Sequence, residues 1–239
     1  MSSILIIGGN SDIGYATAKV FAKNRYNIHL ASRDISELQI KKSEIEQLYN
    51  VDCKISLLDI ENKESVEFFL KNELRLPNII LIAAGLLKTK SANSNHILNV
   101  NYLAQVNFIE KTIKYYGNQD KLDAIIGISS VAGDRKRKNL DIYAKSKSSY
   151  NLYLQELEQR LCKFGINVIN IKPGWVNTKM TKNLKLPKIM TANVNFVGNK
   201  IFEAYKNKKK ILYVPKYWKI ILFFYNLIPE FFFSIIKKK

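Results

Sequence analysis

The sequence predicts an α/β protein of one domain: a seven-stranded, doubly wound parallel sheet with helices on both faces. Three observations predict it. Seven short apolar runs alternate with longer stretches of helical period. The runs are apolar throughout rather than at alternate positions, as strands covered on both faces are. No Pro/Gly/Ser tract, low-complexity block or internal repeat divides the 239 residues, and that length suits one large core.

The elements follow in order. "ILII" (4–7) is the first strand, and the turn "GGNSDIG" (8–14) leads into a first helix. "IHLAS" (28–32) and a helix over 34–49 come next, then "CKISLLD" (53–59) and a helix over 61–74. "NIILIAAG" (78–85) precedes a long helix over 93–116, and "DAIIGISS" (123–130) precedes another over 140–164. "INVINIKPG" (166–174) and "ILYVP" (211–215) complete the sheet. Right-handed crossovers make this a single-domain Rossmann fold over 1–215, with ligands expected at the carboxyl ends of the strands. Residues 216–239 form an apolar, basic tail.

Net charge is +18, and it is uneven: from Lys172 onward 15 Lys face two acids, a net +13 over 68 residues. Such a field suits an anionic membrane surface, nucleic acid or a phosphorylated substrate. Biased codon usage is the plainer account of 32 Lys against 6 Arg, but it explains the shortage of acids less well. Nucleic acid is set aside, because no aromatic-studded basic strand face accompanies the charge. Cys53 and Cys162 have no metal-ligand spacing, so neither a metal site nor a disulfide framework is expected. With no secretory pattern at the N-terminus, a reducing, cytoplasmic setting is expected.

Chemistry-bearing residues cluster where strands end. Gly8, Asn10, Ser11, Asp12, Ile13 and Gly14 form a βα turn whose helix N-terminus favours a pyrophosphate. The second strand ends with Ser32 where an acid would bond a ribose 2′-hydroxyl. Arg33 follows and would accept a 2′-phosphate, which points to NADPH; a solvated arginine is the equal alternative. Asp59 and Ile60 stand where an adenine would lie, and Ala83, Ala84 and Gly85 are small enough for close backbone approach.

"YAKSK" (143–147) sets Tyr143 and Lys147 on one helix face. An ammonium beside a phenol favours the phenolate and makes it a usable proton exchanger near neutrality. By chance alone about two Tyr-x-x-x-Lys pairs are expected here. Of the three present, only Tyr143/Lys147 follows a strand ending in "ISS". Ser130 of that strand would polarise a carbonyl that Tyr143 protonates; a capping serine is the alternative.

Taken together and in order, the glycine-rich turn, "AAG", "VNYLAQ", "ISS", "YAKSK" and "IKPGWVNT" resemble the short-chain dehydrogenase/reductase family. The resemblance covers residues 4 to about 215 and implies an NADPH- or NADH-dependent oxidoreductase with the tetrad Asn101, Ser130, Tyr143 and Lys147. In it Asn101 braces a relay water and Lys147 also holds the nicotinamide ribose. Pro173, Gly174, Val176 and Thr178 line the nicotinamide, and pairing into a homodimer or homotetramer uses the two long helices. Two departures stand out: Ile7 replaces a threonine and Asp12 replaces the middle glycine. A carboxylate at 12 would repel phosphate unless it points outward or caps the helix.

A narrower likeness runs through "GGNSDIG", "SSVAGDRKRKN", "IKPGWVNTKM" and "YVPKYWKIILFFYNLIP". These segments are similar to the keto-reducing subunits of decaprenylphosphoryl-ribose 2-epimerase. That implies a polyprenyl-phosphate-linked keto-sugar as substrate in cell-envelope polysaccharide synthesis, with a flavoprotein oxidase as partner; the alternatives are reduction of another carbonyl (acyl, steroid-like or of a soluble sugar) and a catalytically silent nucleotide-binding scaffold. Arg135 and Arg137 would then grip a substrate phosphate, the alternative being a solvated loop. The tail's 17 residues from 220 to 236 are interrupted by Asn226, Pro229 and Glu230. That is short of the ~20 apolar residues a spanning helix needs. An interfacial segment on the inner face of the membrane, or burial against the domain or a partner subunit, fits instead.

Overall fold

The computed structural model describes residues 2–87, 93–117, 121–135 and 140–228. Seven parallel strands, β1 (Ser3–Ile7), β2 (Asn27–Ser32), β3 (Cys53–Leu57), β4 (Ile79–Ile82), β5 (Ala124–Ile128), β6 (Asn167–Pro173) and β7 (Ile211–Val214), form one sheet. Their order is β3-β2-β1-β4-β5-β6-β7. The chain winds outward from β1 to β3, returns to β4 and winds the other way. The switch between β1 and β4 opens a crevice at the strand C-termini.

Alternation along each strand feeds two cores. Ile4 and Ile6 of β1 join Leu30, Leu81, Ile126 and Ile169 on one face. There they meet α1 (Asp12–Lys23), α2 (Ile35–Tyr49) and α7 (Val194–Lys206). Leu5 and Ile7 point the other way, with Ile80, Ile82 and Ile125. That layer is covered by α3 (Lys63–Phe68), α5 (Ala104–Tyr116) and α6 (Ile142–Leu161). A sheet buried on both faces cannot show polar alternation, which is why its strands read as continuous apolar runs.

Polar caps set the helix starts. Ser11, Asp34, Asn62, Asn93, Asp141 and Asn193 each accept a first-turn amide, a contact worth about 1 kcal/mol. The long helix expected over 93–116 is α4 (Ser94–Leu98) joined to α5 by a π turn, Asn99–Leu103. Such widened turns commonly mark functional positions, and this one carries Asn101. β3, β4 and β5 stop two or three residues before the expected ends, at Leu57, Ile82 and Ile128. Asp59 and Ser130 thereby fall in the loops that line the crevice. The tail begins with α8 (Tyr217–Leu227), which packs against β7 and the 3-10 turn Val131–Asp134.

Candidate active site

A cleft of about 340 Å³ runs along the C-terminal edge of the sheet. Its walls come in strand order: Gly8 and Asn10 to Ile13 after β1, Ser32 at the end of β2 with Arg33 beyond it, and Asp59 and Ile60 after β3. Ala83 to Gly85 follow β4; Ser129 and Ser130 follow β5, with Tyr143 and Lys147 from α6; Pro173, Gly174, Val176 and Thr178 follow β6. Of the residues singled out in the sequence, Gly14, Asn101 and Arg135 do not line it, and Arg137 lies outside the described residues.

The turn fits a pyrophosphate. Gly8 adopts φ +82, and a Cβ there would sit 2.7 Å from the Ala84 nitrogen. Only glycine lets the turn press so closely on the segment leaving β4. Ser11 is the cap, accepting the Gly14 amide at 3.1 Å. Asp12 turns to the loop after β6: its Oδ2 accepts the backbone amide of Lys179 at 2.5 Å. The carboxylate is therefore used by the loop after β6 and does not compete for the first-turn amides.

A chain of charges continues from that contact. Lys179 Nζ bonds Glu37 Oε1 at 2.6 Å, and Glu37 pairs with Lys41 at 3.0 Å. Lys41 donates in turn to the Gly9 carbonyl and to Asn10 Oδ1. The Lys179 ammonium holds the Glu37 carboxyl below the usual carboxylate range, and burial lowers Lys41. Turn, loop and α2 are thus linked across the cleft mouth.

At the far end Arg33, 65% exposed, lies 3.7 Å from Glu61. Glu61 also takes His96 Nε2 at 3.1 Å and Asn99 Nδ2 at 2.8 Å. One Asp59 oxygen folds back onto the Glu61 amide at 3.0 Å. Glu61 lines the cleft, but no sequence motif marks it.

Tyr143 and Lys147 rise from α6 into the cleft beside Ser130. Lys147 is 4% exposed, and its ammonium donates to the Ile128 carbonyl at 3.0 Å. Burial lowers its pKa to about 8. Burial raises the Tyr143 phenol, and a hydrogen bond with the Ser130 side chain pulls it partway back. The phenol is thus raised overall, and the Lys147 ammonium one helical turn on is bonded to the Ile128 carbonyl. The Ser130 hydroxyl also accepts the Ala132 amide at 3.1 Å, so it caps the following turn as well as facing Tyr143.

Asn101 is fully buried and acts as a brace. Its oxygen takes the Leu86 amide at 2.7 Å, and its nitrogen gives to the Leu86 carbonyl at 2.8 Å and to Ser146 at 3.3 Å. The side chain thereby ties the strand exit after β4 to α6.

Asp134, four residues beyond Ser130, carries no sequence motif. Its Oδ1 takes Lys172 Nζ at 2.7 Å and Asn151 Nδ2 at 2.9 Å, and its Oδ2 takes the Tyr213 hydroxyl at 2.6 Å. Its carbonyl accepts Asn226 Nδ2 at 2.9 Å. One residue thus anchors the serine turn to β6, α6, β7 and α8. Behind the cleft wall that follows β6, Trp218 of α8 fills the space where a Cβ on Gly174 would stand. Trp218 meets Trp175 edge-on at 5.2 Å.

The comparisons agree with this geometry. A family profile described as short chain dehydrogenase matches residues 2–188. Carbonyl reductase family member 4 of Xenopus laevis is 27% identical over 187 residues, 75% of this chain and 78% of that protein. An uncharacterized oxidoreductase of Staphylococcus epidermidis is 28% identical over 187 residues, 74% of this chain and 79% of its own. Among solved structures, a short-chain dehydrogenase from Sphingobium yanoikuyae in complex with NADPH superposes with TM-score 0.81 at 20% identity, covering 90% of this chain and 89% of that one. The bulky-bulky ketone specific alcohol dehydrogenase from Comamonas testosteroni superposes with TM-score 0.78 at 19% identity, covering 100% and 92%. With its cleft, its glycine turn and a profile match over most of its length, this chain belongs to the short-chain dehydrogenase/reductase family and is an NAD(P)-dependent oxidoreductase.

Proposed function

We propose that the protein reduces a ketone to an alcohol, with Tyr143 as the proton donor. The observation that carries this reading is the meeting of the Tyr143 phenol and the Ser130 hydroxyl in one cleft with the buried Lys147 ammonium. The nicotinamide cofactor, when bound, supplies the hydride that goes to the carbonyl carbon. Ser130 donates to the carbonyl oxygen and draws charge onto it. Tyr143 gives that oxygen its proton, so the substrate leaves as the alcohol and a phenolate remains. Lys147, charged below about pH 8, stabilises the phenolate and holds the ribose. Asn101 keeps the Leu86 strand exit and α6 in register, and the cleft holds the reacting atoms at near-attack distance.

The turn residues and Ala83 to Gly85 hold the pyrophosphate and adenosine, and Pro173, Gly174, Val176 and Thr178 hold the nicotinamide. Arg33 favours NADPH, since it is the cation at the end of β2 where an acid would otherwise meet a ribose hydroxyl. The test is Tyr143→Phe. Titrated NADPH should bind as before, while NADPH oxidation with phenanthrenequinone falls ~100-fold or more. Retention of most of that turnover would refute the role.

The finer reading is a keto-sugar carried on a polyprenyl phosphate in cell-envelope polysaccharide synthesis, made by a flavoprotein oxidase and reduced at the inner membrane face. The narrower likeness of four segments supports it, and so does the cationic C-terminal region. Arg135 and Arg137 are its phosphate ligands, and the enzyme pairs through α5 and α6. Purified protein with NADPH and a membrane lipid fraction pre-oxidised by the flavoprotein should yield the epimeric sugar. Reduction of soluble or acyl ketones alone would instead favour a general carbonyl reductase, the reading that the name of the Xenopus relative supports.

A further inference from the structure

The outer face of α8 has no place in the chemistry above. Its inner face is accounted for: Trp218 and Leu222 are buried with Val131, beside Trp175, Met190 and Tyr213. A helix with one buried apolar face ordinarily turns polar residues to water. Here the opposite face carries Lys216, Lys219, Ile220, Phe223, Phe224 and Leu227, spaced so that they share one stripe. Ile220, Phe223, Phe224 and Leu227 are each 61% exposed. Among the described residues no helix is long and apolar enough to cross a membrane, and α8 has 11 residues.

We propose that this stripe is a docking surface for an anionic lipid bilayer. The four apolar side chains enter the boundary between headgroups and acyl chains, and Lys216 and Lys219 meet lipid phosphates. Charge selects this occupant. The chain carries +18, concentrated from Lys172 onward, and an anionic surface is the partner such a field attracts. A second copy docking face to face would set this lysine-bearing stripe against itself, and like charges oppose that contact. Residues 229–239, outside the described residues, extend the same chemistry with Phe231, Phe232, Phe233, Ile235, Ile236 and three lysines.

Because Trp218 on the inner face backs Gly174, the docked bilayer lies one helix from the cleft wall. For a lipid-borne substrate, and on the keto-sugar reading, that places the carrier's tail in the bilayer next to the site. Docking itself does not need that reading.

The test is co-sedimentation of the full chain with vesicles of phosphatidylcholine alone or mixed with phosphatidylglycerol. Binding should be roughly tenfold stronger to the anionic vesicles and weaken with salt. A Phe223→Ser/Phe224→Ser variant should lose roughly tenfold in that binding while its NADPH titration is unchanged. Equal binding to both vesicle types, or anionic binding untouched by the two substitutions, overturns the proposal. So does an absence of vesicle binding together with a dimer in solution that the substitutions dissolve. Intact docking with no reduction of the oxidised lipid fraction would instead strike the keto-sugar reading and leave this surface standing.

Discussion

The Asp12 carboxylate holds the backbone amide of Lys179, a residue 167 positions later, at 2.5 Å. An acid in a phosphate-binding turn is thereby turned from a repulsive group into a fastener for the loop after β6. Two substitutions separate its effects. Asp12→Ala removes the acceptor, and NADPH affinity should fall about fivefold, the worth of one hydrogen bond. Asp12→Asn keeps an acceptor and removes the charge, so affinity should hold or rise. Fluorescence titration with NADPH reads both; equal losses would mean that the fastener has no part in cofactor binding.

Lys147 gives a pH signature. Its folded pKa is about 8, against about 10.4 in an unfolded chain. Between those values the unfolded chain binds a proton that the folded chain has released. Stability therefore rises with pH from about 8 towards about 10 and gains nothing from this group below 8. Lys147→Met should flatten that rise in melting temperature. An unchanged slope would show that another group sets it.

Asp134 should matter for both stability and rate. Asp134→Asn leaves Lys172, whose side chain is 9% exposed, without its counter-ion. Loss of one partner of a largely buried pair should cost about 2–3 kcal/mol in urea unfolding. Lys172→Met added to that variant should recover part of the loss. The serine turn loses a tether as well, so kcat with phenanthrenequinone should fall while the NADPH titration stays level. Full activity in Asp134→Asn would place the residue outside the machinery.

Arg33 and Glu61 bear on the choice of cofactor. Arg33→Ala should weaken NADPH binding at least about tenfold, the scale of a charge-assisted contact, and leave NADH unchanged. Glu61→Gln frees Arg33 from its neighbour and should strengthen NADPH binding. Parallel titrations with both nucleotides check this, and equal effects on the two would remove Arg33 from the 2′-phosphate.

The sheet and its cleft could be read in advance because their signals are local. Strands covered on both faces must be apolar throughout, and residues that end strands fall at the cleft by topology alone. What escaped was built from distant partners. Asp134 begins a run of charges that sequence alone reads as a solvated loop, yet Lys172 and Tyr213, which fix it, lie 38 and 79 residues away. Glu61, Lys179 and the π turn under Asn101 likewise carry no periodic signature. Sequence alone allows the tail either burial or a lipid surface. Its helix is split, with Trp218 and Leu222 inside and Phe223 and Phe224 outside, a division that apolar content on both faces concealed.

The edge-on meeting of Trp175 and Trp218 behind Gly174 also equips the protein with its own optical probe. These are the two tryptophans of the chain, and both stand at the same end of the cleft. Reduced nicotinamide absorbs where indole emits. With the nicotinamide placed as proposed above, intrinsic fluorescence should report the arrival of the reduced ring at that end, with no label and no substrate.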